Sequence, residues 1–178
     1  MLKPEKCVIL EKRKGGMDMS AWHEMTYPSE KTEKYELLRT MLAGLIDGEH
    51  DLIANMANMS ALLFDALEDV NWVGFYRMQE GMLVLGPFQG KPACIRIPVG
   101  RGVCGTGAQT LQTQLVKDVH LFPGHIACDA ASQSEIVIPL IRNGALLGVL
   151  DIDSPIKNRF DTKDQAGLER MCEMLCKA

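Results

Sequence analysis

The sequence predicts an α+β fold in which a central antiparallel sheet packs between helices and a covering loop. Helix-period stretches lie near the beginning and at the end of the chain, and short strand-like runs lie between them. The pair Asn143-Gly144 separates the last two runs and is a strong hairpin signal, because both positions of a type I′ turn need positive φ. The 178 residues show no internal repeat and no linker, so they fit one domain.

Three helices are predicted from apolar side chains at helical spacing. The first begins near Ser29, a good N-cap residue, and Gly48 can end it. Thr162 and Gln165 form a possible capping box at the start of the last helix. The apolar positions are Tyr35, Leu38, Leu42 and Leu45 in the first helix, Leu52, Met56, Met59 and Leu63 in the second, and Leu168, Met171, Cys172 and Leu175 in the last.

Strands are predicted in the middle of the chain, where the helical period is lost. They cover residues 72–78, 82–89, 95–99, 115–119, 135–142 and 145–153. A glycine-rich segment, residues 101–107, leads into a short helical stretch. The loop over residues 117–134 is longer than is usual in a compact domain, which predicts that it carries function.

Charge and hydropathy exclude several classes of protein. The net charge of −4 and the pI near 5.6 argue against a nucleic-acid binder, because phosphate backbones select basic surfaces. No apolar run approaches the roughly 20 residues that span a bilayer, and the apolar patch at residues 7–10 is too short for a secretory signal. We therefore expect a cytoplasmic protein that binds neither nucleic acid nor membrane. Residues 1–28 are rich in charge and glycine, and we expect a flexible N-terminal extension to a domain over residues 29–178.

The six cysteines divide into two groups by their sequence context. Cys172 lies on the apolar stripe of the last helix, Cys176 lies at a fraying end and Cys7 lies in the extension, so none of these three needs a catalytic role. The other three lie in loops or at loop edges beside glycine, proline or polar residues, and are Cys94, Cys104 and Cys128. Loop thiols are accessible and react when the thiolate forms, although inert thiols remain an alternative for them.

A zinc site is a competing interpretation of the same cysteines. His120, His125 and Cys128 are close in sequence, Cys94 and Cys104 could be further ligands, and zinc accepts imidazole and thiolate ligands. The chain contains no C-x-x-C pair and no H-x-x-x-H pair, and the spacing of these three residues is not a standard one. The sequence therefore favours a site without a metal.

Three carboxylates are expected to meet on the last hairpin. Asp151 and Asp153 are two residues apart in one strand and share a face, and Glu135 begins the neighbouring strand. Converging carboxylates repel one another, so they need a cation or a raised pKa that leaves one of them able to donate a proton. A solvated strand end is the alternative.

Two aromatic residues share a face of the first strand. Trp72 and Tyr76 are four residues apart, which places both on one side of the sheet. Packing of the sheet against a helix explains them, and so does a pocket wall for a small apolar group such as a methyl thioether.

Four stretches of the chain carry a family resemblance when they are taken together. They read NWVGFY at 71–76, GPFQGKPAC at 86–94 with GVCG at 102–105, FPGHIACDAAS at 122–132 with SEI at 134–136, and GVLDIDSP at 148–155 with RFD at 159–161. In this order and spacing they resemble the free methionine-(R)-sulfoxide reductases, which are single GAF-type domains. The three loop cysteines and the Asp-Ile-Asp strand make the match specific, whereas the GAF fold alone would imply little about function.

The resemblance implies a role for each candidate residue. Cys128 corresponds to the nucleophile, Cys94 to the resolving cysteine and Cys104 to an auxiliary cysteine that can replace it. The carboxylates that hold the ammonium and sulfoxide groups of the substrate correspond to Glu135, Asp151 and Asp153. The aromatic wall around the methyl-sulfur end corresponds to Trp72 and Tyr76.

The resemblance also implies a reaction and its partners. The expected substrate is free methionine-(R)-sulfoxide, the expected reductant is thioredoxin, and no cofactor or metal is expected. The expected path runs through a cysteine sulfenic acid and then a disulfide, and a homodimer that pairs through its helices is expected. The competing hypotheses are a GAF sensor that binds a small ligand and a thiol redox switch. The acidic pocket disfavours phosphate-bearing sensor ligands, which need N–H groups or basic side chains.

Overall fold

The computed structural model describes residues 25–126 and 129–178, and these form four helices and six strands. The helices are α1 (Lys31–Ile46), α2 (Leu52–Ala66), α3 (Gly102–Thr110) and α4 (Thr162–Lys177). The strands are β1 (Trp72–Gln79), β2 (Met82–Gly90), β3 (Arg96–Pro98), β4 (Gln114–Val116), β5 (Ser134–Arg142) and β6 (Ala145–Ser154). Among these helices, none is long and apolar enough to cross a membrane.

The six strands form one antiparallel sheet in the order β3-β2-β1-β6-β5-β4. The predicted α+β class with a central antiparallel sheet is therefore confirmed. The predicted hairpin is also present, because Asn143 and Gly144 join β5 to β6 with φ values of 52° and 79°. The two central strands are β1 and β6, and β5 lies on the other side of β6.

The sheet separates two apolar clusters. On one face α1, α2 and α4 pack over side chains such as Phe75, Leu150 and Ile152. On the other face the outward residues of the same strands, including Trp72, Tyr76 and Val149, pack with α3. The alternation of side chains along a strand assigns each residue to one face or the other. The candidate site residues of β1 therefore lie on the face that α3 covers.

Helix α1 begins one residue later than predicted. Glu30, not Ser29, is the N-cap, and its carboxylate accepts a hydrogen bond from the Glu33 backbone N–H at 2.9 Å. A carboxylate at this position also complements the positive end of the helix dipole. The predicted apolar stripe of α2 is confirmed, because Met56, Met59 and Leu63 are buried and Leu52 packs against the same cluster.

The capping box of α4 uses different residues from those predicted. The Asp161 side chain accepts from the backbone N–H groups of Lys163 and Asp164, at 2.7 and 3.2 Å, and the Asp164 side chain accepts from the Asp161 N–H. The predicted pair, Thr162 and Gln165, is thus one residue out of register. Asp161 and Asp164 form the capping box because carboxylates accept hydrogen bonds more strongly than a hydroxyl or an amide does.

The bounds of α3 and β4 and the environment of Cys176 also differ from the sequence prediction. Helix α3 begins at Gly102, inside the glycine-rich segment, rather than after it. Strand β4 ends at Val116, and a short 3₁₀ turn, Val119–Leu121, follows it. Cys176 is not at a frayed end, because it is 7% exposed and its carbonyl accepts from the Arg142 side chain at 2.6 Å. The prediction of a core position for Cys172 is confirmed at 3% exposure.

The predicted extension lies largely outside the described residues, which begin at Met25. Met25 and Tyr27 pack against the cluster beneath α1 and α2. The Tyr27 hydroxyl donates to the Asp65 carboxylate at 2.6 Å. These contacts tie the described part of the segment to the end of α2.

Candidate active site

A pocket opens on the face of the sheet that carries α3. The central strands β1, β5 and β6 form its floor, the first turn of α3 and the segment between β2 and β3 form two walls, and the loop before β5 closes it. Its lining includes six residues that the sequence singled out, and these are Trp72, Tyr76, Cys104, Glu135, Asp151 and Asp153. The fold therefore brings together the aromatic pair, one cysteine and all three carboxylates.

The three carboxylates converge because of the β5–β6 register. Glu135 lies directly across from Asp153, and Asp151 lies two residues along the same face. Glu135 and Asp151 are only 5% and 6% exposed. The alternative of a solvated strand end is therefore wrong, since these groups are removed from water by the pocket walls.

Burial and mutual repulsion raise the pKa values of this cluster. Burial, then the charges of the neighbouring aspartates, raises the pKa of Glu135 well above its usual range. Burial likewise raises the pKa of Asp153 well above its usual range and that of Asp151 to about 6. The Oδ1 atom of Asp151 is buried and has no hydrogen-bond partner among the described residues. The cluster thus offers unsatisfied acceptors and a protonated acid to a ligand.

Cys104 is buried beside the carboxylates rather than accessible in a loop. Its Sγ lies 4.0 Å from Oε1 of Glu135, and the residue is 4% exposed in the first turn of α3. Burial, followed by the charges of Asp151 and Glu135, raises the thiol pKa well above its usual value. The expectation of an accessible thiol at this position is therefore wrong, and at neutral pH Cys104 is a protonated thiol.

One group of described side chains has the spacing of a metal site. Ligand atoms of Cys104, Glu135 and Asp151 lie within 4.8 Å of one another. A metal ion bound here would have to displace the proton of the Cys104 thiol, whose pKa is raised by burial. The histidine set weighed from the sequence does not assemble in the described part of the chain, where the His120 side chain is 59% exposed and pairs with Asp118.

The aromatic wall contains three stacked rings. The ring centroids of Trp72 and Tyr76 are 5.9 Å apart, and those of Trp72 and Phe88 are 5.3 Å apart. The Trp72 indole N–H donates to the Lys91 carbonyl at 3.0 Å, which fixes the ring. Trp72 and Tyr76 are buried core residues and also line the pocket, so both interpretations of this pair apply. Phe88 stacks on Trp72 without lining the pocket itself.

A polar network holds the loop segment that follows Cys128 in sequence. The Asn71 side-chain amide donates to the Asp129 carboxylate at 3.2 Å and to the Ser132 hydroxyl at 3.1 Å. The Lys91 ammonium lies 3.3 Å from the same carboxylate. Asp129 and Ile126 line the pocket. Cys128 itself, the predicted nucleophile, lies outside the described residues.

Cys94 lies just beyond the pocket lining. It is partly buried and packs against the aromatic cluster, and the preceding residue, Ala93, lines the pocket. No disulfide joins the four described cysteines, so Cys94 is a free thiol. Its exposure distinguishes it from Cys104 and agrees with the loop position that the sequence indicated.

Two pocket residues were not predicted in the roles that the structure suggests. His125 was weighed only as a zinc ligand, yet its Nε2 lies 3.8 Å from Oε2 of Glu135. Burial, then His120, lowers the pKa of His125, while the pKa of Glu135 is raised, so this contact is between neutral groups at neutral pH. Arg101 lines the mouth and precedes α3, where its side chain makes no capping hydrogen bond. The glycine-rich segment over residues 101–107 gave no signal for a role of Arg101.

Comparisons with known proteins agree with this arrangement. The family model of the GAF domain matches residues 54–175. The free methionine-R-sulfoxide reductase of Escherichia coli K12 is 54% identical over 145 residues, which are 82% of this chain and 88% of that protein. The substrate complex of the Staphylococcus aureus fRMsr is 50% identical, covers 86% of this chain and 98% of its own, and superposes with a TM-score of 0.79. The substrate complex of the Neisseria meningitidis free methionine-R-sulfoxide reductase is 41% identical, covers 86% and 92%, and has a TM-score of 0.83.

Proposed function

Because the chain belongs to the GAF-domain family of free methionine-(R)-sulfoxide reductases, we propose that it reduces free methionine-(R)-sulfoxide to methionine with Cys128 as nucleophile. One observation carries the proposal: buried carboxylates with raised pKa values and an aromatic wall line the same pocket. A carboxylate cluster suits an ammonium group, and the rings suit a methyl group on sulfur. Free methionine sulfoxide carries both groups within one small molecule.

The carboxylate cluster supports selection of the free amino acid. Burial raises the pKa of Asp151 to about 6, so at neutral pH it is largely ionised and can bind an ammonium. Its buried and unpartnered Oδ1 would gain a hydrogen-bond donor from that ammonium. In a peptide the amine of methionine is an amide, which carries no charge and offers one N–H donor instead of three.

The first chemical step moves the oxygen atom from the substrate to Cys128. The Cys128 thiolate attacks the sulfoxide sulfur, and a carboxylic acid protonates the sulfoxide oxygen. Methionine leaves, and Cys128 becomes a sulfenic acid that carries the oxygen and the donated proton. The sulfoxide sulfur gains two electrons, and the cysteine sulfur loses two.

Glu135 is the proton donor that the geometry favours. Burial and two neighbouring carboxylates keep it protonated at neutral pH, and neutral His125 lies beside it without forming an ion pair. Asp153 shares the raised pKa but also lies near the Asn71–Asp129–Ser132 network, since Ser132 lowers its pKa. Because the three groups titrate as one coupled set, the pH dependence belongs to the set.

The second step regenerates a thiol through a disulfide. The Cys94 thiol condenses with the Cys128 sulfenic acid, which forms a disulfide and releases one water. An external dithiol, thioredoxin in this proposal, then reduces the disulfide by thiol exchange. Cys94 suits this role better than Cys104, because Cys104 is buried and its raised pKa keeps it from forming a thiolate.

Cys94→Ser should release about one methionine per enzyme and then recycle poorly, because the sulfenic acid forms but has no resolving thiol. Methionine release in a single turnover and in the steady state with thioredoxin separates the two steps. The matched control is Cys104→Ser, which should keep steady-state turnover within about twofold of wild type, since the buried thiol takes no part in resolution. Normal recycling by Cys94→Ser would instead identify Cys104 as the resolving cysteine.

The proposed activity is tested with racemic free methionine sulfoxide, thioredoxin, thioredoxin reductase and NADPH, followed by chiral analysis. We expect loss of the R epimer alone and no reduction of a peptide that contains methionine sulfoxide. Reduction of neither epimer by the fully reduced protein would refute the proposed function and favour a GAF sensor.

A further inference from the structure

The proposed substrate carries two charges, and the carboxylate cluster of Glu135, Asp151 and Asp153 can bind only the positive one. Free methionine sulfoxide has an ammonium group and a carboxylate on the same carbon. The carboxylate cluster accounts for the ammonium, whereas the substrate carboxylate needs a cation or N–H donors. Two basic side chains line the pocket, Lys91 and Arg101.

Of these two cations, Lys91 is already paired. Its ammonium lies 3.3 Å from the Asp129 carboxylate, which is itself held by Asn71. The Arg101 guanidinium makes no ion pair and no hydrogen bond with any side chain in residues 25–126 and 129–178. At the mouth of an acidic pocket, this guanidinium presents a planar set of donors that matches a carboxylate.

The backbone beside Arg101 also presents partial positive charge. Arg101 occupies the N-cap position of α3, and no side chain caps this helix. The first N–H groups of a helix have no acceptor within the helix, and they carry the positive end of its dipole. Gly102 and Val103, the first two residues of α3, line the pocket.

The carboxylate cluster and the first turn of α3 are close enough to bind the ammonium and the carboxylate of one amino acid. Cys104 follows Arg101 by three residues in the same helical turn, and its Sγ lies 4.0 Å from Oε1 of Glu135. The first turn of α3 therefore lies directly beside the carboxylate cluster. Because the ammonium and carboxylate of an amino acid share one carbon, their binding groups must be neighbours of this kind.

We propose that Arg101, with the uncapped first turn of α3, binds the α-carboxylate of free methionine sulfoxide and so determines specificity for the free amino acid. This inference rests on the proposed function, because that function supplies the ligand. The pocket then recognises both charges of the zwitterion, and an internal methionine sulfoxide in a peptide lacks both. Arg101 contributes to binding and not to the reaction at sulfur, so its loss should raise KM and leave kcat nearly unchanged.

The test compares the affinities of two ligands, the acid and its carboxamide, for protein with and without Arg101. Cys128→Ser protein, which cannot turn over, is titrated by calorimetry with methionine-(R)-sulfoxide and with its carboxamide, whose C-terminal group is neutral. We expect the acid to bind about 10- to 100-fold more tightly than the carboxamide, the range for a hydrogen bond to a charged group. Adding Arg101→Gln should remove most of that preference and leave carboxamide binding within about twofold.

Matched variants separate this contact from general charge effects. Arg101→Lys should keep part of the preference, because it keeps the charge but loses the planar fork. Arg96→Gln removes one exposed positive charge from β3, outside the pocket lining, and should leave both affinities unchanged. Circular dichroism of each variant confirms the fold.

Two outcomes would overturn the inference, and each differs from failure of the proposed function. Equal affinity of the acid and the carboxamide for protein with Arg101 intact would refute a carboxylate site. An undiminished preference in Arg101→Gln would refute the assignment to Arg101. The proposed function fails on a different measurement, the absence of turnover by wild-type protein.

Discussion

Glu135→Gln should lower kcat for free methionine-(R)-sulfoxide by about 100- to 10,000-fold, the usual effect of losing a general acid. The amide preserves the shape of the side chain and removes its acidic proton. Burial and the neighbouring aspartates hold this carboxyl protonated in wild type, so the loss falls on the chemical step. The control is Glu173→Gln on α4, far from the pocket lining, which should keep full activity.

The raised pKa of Glu135 also predicts the direction in which kcat changes with pH. In the proposed mechanism the protonated form of Glu135 is the active one, and its pKa is raised, so we expect activity below that pKa and its loss as pH rises through it. Asp151, with a pKa of about 6, acts in the opposite direction, because substrate ammonium binds its ionised form above that pH. Glu135→Gln should therefore abolish the alkaline fall of kcat, and because the three carboxylates titrate as one set it should also move the pH at which KM improves. A variant with wild-type kcat and an unchanged alkaline limb would exclude Glu135 as the donor.

Cys128→Ser should lose steady-state turnover by about 10,000-fold or more, the scale seen when a catalytic nucleophile is removed. Serine ionises far above neutral pH and cannot carry the sulfoxide oxygen as a stable sulfenic acid, so no partial reaction remains. Methionine release in a single turnover, measured with reduced protein in excess, is the decisive quantity. Cys94→Ser is the matched comparison, because it should still release the first methionine. Release of one methionine by Cys128→Ser would place the nucleophile elsewhere.

The carboxylate cluster could be predicted from the sequence because two simple rules act on the same hairpin. The two-residue turn at Asn143-Gly144 pairs β5 with β6, and alternation places Asp151 and Asp153 on one face. The direct pairing of Glu135 with Asp153 needs more than those rules. The register shifts by one residue between Leu140 and Ile141, and without that shift Glu135 would face Ile152. Gly148, with φ of 158°, lies beside this irregularity, and no local signal fixed its position.

The wall formed by α3 could not be predicted in the same way. Glycine disfavours helices, so the segment over residues 101–107 reads as a loop. Packing reverses that preference, because a Cβ on Gly105 would lie 2.5 Å from the Pro98 carbonyl. The close approach seats the first turn of α3 against the sheet, which buries Cys104 and places Arg101 at the pocket mouth. A tertiary contact of this kind leaves no periodic pattern in the sequence.

The burial of Cys104 also bears on how long the protein survives in the conditions that create its substrate. Hydrogen peroxide oxidises thiolates far faster than thiols, and it must reach the sulfur atom to do so. Cys104 is 4% exposed, and adjacent acids hold its proton in place. Hydrogen peroxide should therefore oxidise this sulfur slowly. We expect an intact thiol at Cys104 under oxidising conditions that convert exposed thiols.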